Sequence, residues 1–71
     1  MKYLIAYKQD ENTYLYVKTI GEKIETTLFY ANALNFINYK NAKNISTFLN
    51  EYDEKNNYII IKYEFSLEEE E

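Results

Sequence analysis

Apolar and polar residues alternate along most of the first thirty positions, the period expected of half-buried strands. In KYLIAYK, residues 2–8, Tyr3, Ile5 and Tyr7 fall on one face and Leu4 and Ala6 on the other. The polar cluster QDEN, residues 9–12, has the length of a hairpin turn. It leads into TYLYVKTI, residues 13–20, which sets Leu15 and Val17 against Tyr14 and Tyr16. Gly21, the only glycine, stands between two strand-like runs and is expected to supply a positive φ in a tight turn. KIETTLF, residues 23–29, alternates Ile24, Thr26 and Leu28 with Lys23, Glu25 and Thr27, completing a three-stranded meander.

From residue 31 the period changes. Leu34, Ile37, Ala42, Ile45, Phe48, Leu49 and Tyr52 share one broad stripe at helical spacing. Residues 31–52 form either one helix or a short first turn followed by a main helix that starts beside Asn38. The second version is favoured, because Asn is a good N-cap and a poor helix former. DEKNN, residues 53–57, ends the helix. In the closing strand, Ile59, Ile61, Tyr63, Phe65 and Leu67 share one face, and Tyr58, Ile60, Lys62, Glu64 and Ser66 share the other. Apolar residues on both faces near its start predict a central strand, with Ile59 and Ile61 buried near Ile45 and Leu49. The expected fold is α+β: an antiparallel four-stranded sheet in the order β-β-β-α-β, with one principal helix on one face. The sheet's second face is expected to stay open.

The chain has 71 residues, room for one small domain, taken as 1–67 with an acidic tail at 68–71. A domain of this size buries only about 60% of the surface its unfolded chain exposes. Cysteine is absent, so no disulfide framework or thiolate site can add to that core. MKYLIAYK is too short an apolar stretch for a signal peptide, and no run approaches the roughly 18 residues of a membrane span. A soluble, cytoplasmic protein without a membrane partner is therefore expected. Eight Lys and no Arg face twelve acids, for a net charge of −4, and without Glu68–Glu71 the two signs balance. A neutral body lacking Arg argues against nucleic acid as a direct partner, since that affinity comes mainly from neutralising phosphates.

Catalytic parts are scarce. There is no His or Cys, and neither Ser46 nor Ser66 sits in a nucleophile elbow. One glycine cannot build a phosphate-cradling loop, and the acid pairs lack the spacing of a calcium loop. The expectation is a non-enzyme without cofactor or metal. Nine tyrosines remain to be explained. Tyr14 and Tyr16, with Tyr3 and Tyr7 placed beside them across the hairpin, are either half-buried packing or an aromatic binding face. Stacking of single-stranded nucleic acid on that face is the weakest version, for want of Arg and of an RNA-recognition motif. Glu51, Asp53 and Glu54 oppose the helix macrodipole. They are either a solvated loop or charges read by a basic partner. The terminal glutamates have the same two readings, and solubility protection of a sticky strand suits them better.

MKYLIAYK, TYLYV and IIIKYEF, in a short chain rich in Tyr and Asn with an acidic end, resemble accessory proteins of bacteriophages from AT-rich hosts. Some of those are anti-CRISPR proteins. The resemblance implies a stoichiometric inhibitor in the host bacterium, acting by protein–protein binding on a defence effector with a basic surface. The candidate contact residues, read from the chain itself, are Tyr14, Tyr16, Glu51, Asp53 and Glu54. The alternative is a self-associating accessory protein that forms a homodimer through its Tyr-rich sheet face.

Overall fold

A computed structural model of the chain describes residues 2–63. The later half of the expected closing strand and the acidic run 68–71 lie outside the described residues. Strands β1 (Lys2–Asp10), β2 (Thr13–Ile20) and β3 (Ile24–Thr27) form a meander, followed by helix α1 (Tyr39–Tyr52) and strand β4 (Ile59–Tyr63). One turn of 3₁₀ helix, Tyr30–Asn32, lies between β3 and α1. The sheet order is β3-β2-β1-β4, and every neighbouring pair is antiparallel. This is the α+β architecture that the alternating and helical periods predict.

The first hairpin turn is tighter than QDEN suggested. The strands run on to Asp10 and from Thr13, leaving Glu11 and Asn12 between them. The Asn12 N–H donates to the Asp10 carboxylate at 2.9 Å. Gly21 does not have a positive φ, contrary to expectation. Its N–H donates to the Lys23 carbonyl at 3.2 Å, and a Cβ added there would meet nothing within 4 Å. The bend needs no special residue.

The helix starts where Asn38 caps it, its side chain accepting from the Lys40 N–H at 2.7 Å. Because the residues between the 3₁₀ turn and Asn38 are not helical, Leu34 and Ile37 drop out of the expected stripe. The inward face is Ala42, Ile45, Ser46 and Leu49, and the Ser46 hydroxyl donates to the Lys43 carbonyl at 3.0 Å. Phe48 and Tyr52 point outward and stack on each other with ring centroids 5.9 Å apart.

The core lies between α1 and one sheet face and is built on Ile5, Val17, Leu49 and Tyr58, with Tyr7, Ile20, Ile24, Phe36 and Ile45 packed around it. β4 is not central. The meander already occupies one side of β1, so β4 adds to the other and forms an edge of the described sheet. Its faces are also the reverse of those expected. Ile60 lies opposite Ile5, and Tyr58, two positions earlier, belongs to the core. Ile59 and Ile61 therefore sit on the face without the helix, Ile61 half-buried and Ile59 37% exposed. That second face is not bare, because Leu4 and Ala6 are buried on it, with Ile61 opposite Leu4 and Tyr16 and Ile59 flanking Ala6.

β2 parts from β1 beyond the Ala6–Tyr16 pair, where an irregularity between Val17 and Thr19 turns it with β3. The connecting segment enters the gap. Leu34 N–H donates to the Val17 carbonyl at 2.9 Å, and Tyr3 and Phe36 exchange backbone hydrogen bonds at 2.8 and 2.9 Å. Buried backbone groups are thus satisfied by a stretch that is not itself a strand.

Leu49 has no exposed surface, so Leu49→Ala is expected to lower unfolding free energy by about 2–5 kcal/mol. Gly21→Ala, at a bend with free space, should stay within about 0.5 kcal/mol of the parent. Urea denaturation followed by circular dichroism measures both. Equal effects would contradict this placement of the core.

Candidate functional site

Two places hold the residues singled out in the sequence: the sheet face without the helix, and the loop after α1. Lys8 lies directly opposite Tyr14, and Ala6 opposite Tyr16, so Lys8, Tyr14 and Tyr16 share that face. Tyr14 is 38% exposed and Tyr16 is half-buried against the Ala6 row. Tyr3 and Tyr7 do not join them. Tyr7 pairs with Leu15 and faces the helix, its ring meeting that of Tyr58 edge-on at 5.1 Å. Tyr3 meets Tyr39 of the helix's first turn in the same way at 5.5 Å. The hairpin alternation puts odd-numbered β1 residues on the helix side, which separates the four tyrosines into two pairs.

Of the three acids near the helix end, Glu51 and Glu54 are exposed, whereas Asp53 is turned inward. Asp53 is the C-cap, and its N–H donates to the Leu49 carbonyl. Its carboxylate accepts from the Tyr58 hydroxyl at 2.7 Å, the Asn56 side-chain amide at 3.0 Å and the Lys55 N–H at 3.1 Å. The hydrogen bonds from Tyr58 and Asn56 hold its pKa below the usual 3.8. Tyr58 moves the other way: burial first, then its bond to Asp53, push its hydroxyl well above the usual 10.0.

Asn50 completes this junction. Its side chain accepts from the Tyr58 N–H at 2.7 Å and donates to the Tyr58 carbonyl at 3.1 Å. One carboxamide thus replaces the two backbone bonds that a neighbouring strand would supply. The role of Asn50 was not foreseen, since a polar residue beside the helix stripe carries no signal of what it faces.

Large apolar side chains are also exposed along a segment that alternation does not mark. Leu28, Phe29, Tyr30, Ile37 and Tyr39 are all at least half exposed, Phe29 at 66% and Ile37 at 85%. Phe48 and Tyr52 add a stacked pair on the outer side of α1. Among the described residues, no group of three or more His, Cys, Asp or Glu could hold a metal ion. No helix there is long and apolar enough to cross a membrane.

The opposite shifts at Asp53 and Tyr58 fix the sign of the pH dependence. The Asp53 contribution to stability is present above its unfolded pKa, near 3.8, and is lost as pH falls through the lower folded value. The Tyr58 contribution is complete below its unfolded pKa of 10.0 and is lost as pH rises through the higher folded value. Asp53→Asn should be less stable than the parent at neutral pH, with the gap closing in strong acid. Tyr58→Phe should flatten the loss of stability at alkaline pH. A gap between Asp53→Asn and the parent that stays constant from neutral pH into strong acid, measured by urea denaturation, would show that the carboxylate charge has no part.

No family model, curated protein or solved structure matches this chain.

Proposed function

We propose that this chain is a small, non-catalytic binding protein whose partner is another protein. The observation that carries this is the exposure of the large apolar side chains Leu28, Phe29, Tyr30, Ile37 and Tyr39, together with that of Phe48 and Tyr52 on α1. A domain of this size has few large apolar residues, and leaving these outside its core sacrifices burial it could use. Concentrated exposed apolar surface marks interaction sites, and aromatic side chains are the residues that anchor them. The scarcity of acid–base, nucleophilic and metal-binding groups favours binding over catalysis.

The narrower reading is a phage-type inhibitor that occupies a host defence complex in the bacterial cytoplasm. It is supported by the resemblance in composition and length to phage accessory proteins. Glu51 and Glu54, exposed beside ordered structure, are its candidate contacts with a basic surface. A second reading, self-association through the sheet face without the helix, is favoured by the exposure of Tyr14 and Ile59 there.

Two double variants separate the surfaces. Phe29→Ser with Phe48→Ser should keep the parent's melting temperature within a few degrees, because both side chains are more than half exposed. The same pair should weaken binding by at least about tenfold, as loss of aromatic anchors does. The assay is affinity for a protein retained from bacterial lysate and then purified, with inhibition of its activity as the second readout. Tyr14→Ser with Tyr16→Ser should leave that binding unchanged and convert any dimer seen by light scattering to monomer. Unchanged affinity in the Phe29/Phe48 variant would rule out this surface.

A further inference from the structure

We propose that the hollow between the hairpin end of the sheet and the loop after α1 binds a small phosphomonoester carried on a planar ring, of the nucleoside monophosphate class. The hollow has a volume of about 290 Å³ and is lined by Lys8, Tyr14, Lys55, Asn56, Asn57 and Ile59. That is close to the lower limit of about 300 Å³ for small-molecule sites, so a ligand held there is small.

The lining divides by chemistry. Lys8 of β1 and Lys55 of the loop each bring a positive charge to the lining, and no carboxylate lines the hollow. A phosphomonoester carries about −1.5 to −2 charge at neutral pH, so it matches two ammonium groups better than a carboxylate does. Tyr14, directly across the strand pair from Lys8, offers a partly exposed ring, and Ile59 adds an aliphatic wall. Rings of ligand and protein stack without need of a particular base. The exposed Asn57 carboxamide can donate and accept at a ring edge, while that of Asn56 is held by Asp53.

The loop that carries three of these residues is held in shape before any ligand arrives. Asp53 takes the Lys55 N–H and the Asn56 side-chain amide, and Asn50 grips the backbone at Tyr58 just beyond. Asp53 also attracts the Lys55 charge, but its oxygens already accept three hydrogen bonds, including that of the Tyr58 hydroxyl. A preformed loop reduces the ordering cost of binding. The even balance of charge that argues against a long polyanion has no bearing on a single phosphate, which needs only local charge.

Amide chemical shifts of the full chain, titrated with adenosine monophosphate, adenosine or inorganic phosphate, test the assignment. Adenosine monophosphate should perturb Lys8, Tyr14, Asn57 and Ile59 and bind at least about tenfold more tightly than either fragment, an advantage of 1.4 kcal/mol or more. Lys8→Gln with Lys55→Gln should reduce its affinity by at least about tenfold, and should leave adenosine unaffected. Tyr14→Ala should weaken adenosine monophosphate and leave phosphate unchanged. These are surface positions, and circular dichroism verifies that each variant is folded. Absence of perturbation at these residues at about 10 mM nucleotide, far weaker than any specific site, overturns the proposal. So does equal affinity for phosphate alone, or a double lysine variant that binds like the parent.

Discussion

The grip of the Asn50 carboxamide on the backbone of Tyr58 is the contact on which the rest of the arrangement depends. A sheet strand has a side-chain period of two, so a slip of one residue would exchange its faces completely. β4 is especially exposed to that error, because residues 58–61 are all apolar and either face could be turned inward. Two hydrogen bonds from Asn50 fix Tyr58 against the end of α1, and the Asp53 carboxylate holds the tyrosine's hydroxyl. With Tyr58 in place, Ile60 must lie opposite Ile5, and Ile59 and Ile61 must lie on the other side. Each such bond contributes about 0.5–1.5 kcal/mol, a considerable share for so small a domain. Their larger effect is to select one register.

The same contact explains why Asp53 differs from the acids around it. A carboxylate at a helix C-terminus is opposed by the macrodipole. Three donors are aimed at it, and the bonds from Tyr58 and Asn56 hold its pKa below the usual value. Asp53 is thus occupied in holding the loop, and only Glu51 and Glu54 have the exposure that recognition of a basic surface requires. The same loop contributes Lys55 and Asn57 to the hollow beside Tyr14.

How much of this was legible in the chain depends on whether a local period could decide it. The strands of the meander, the break at Asn38 and the helix itself follow from alternation, capping and helical spacing. Tyr14 and Tyr16 were correctly set apart from Leu15 and Val17 for the same reason. The face of β4 was not legible, because apolar residues on both sides make the period silent, and the deciding partner, Asn50, lies eight residues before Tyr58 in another element. The helical period extends the stripe too far, because the cap at Asn38 resets the phase and releases Leu34 and Ile37. A lone glycine between two strands suggests a left-handed turn, which the bend at Gly21 does not require. Composition could place none of these, since each turns on geometry between elements.

The exposed segment between β3 and α1 follows from the backbone rather than from its side chains. Once β2 turns away from β1 beyond Tyr16, the inner edge of β1 near Tyr3 has lost its partner. Backbone groups in a sheet interior must be satisfied, and Leu34 and Phe36 do this through Val17 and Tyr3. The segment is thereby tied at fixed points, yet it is too short and irregular to bury its own side chains. Only Ala33 is buried and Phe36 half-buried, while Leu28, Phe29, Tyr30 and Ile37 are left outward. Apolar groups on a loop that is positioned by a sheet are what a binding surface needs: side chains uncommitted to the core, on a backbone that cannot drift. A break in strand pairing that would count as a defect in the sheet therefore leaves these apolar side chains exposed among the described residues.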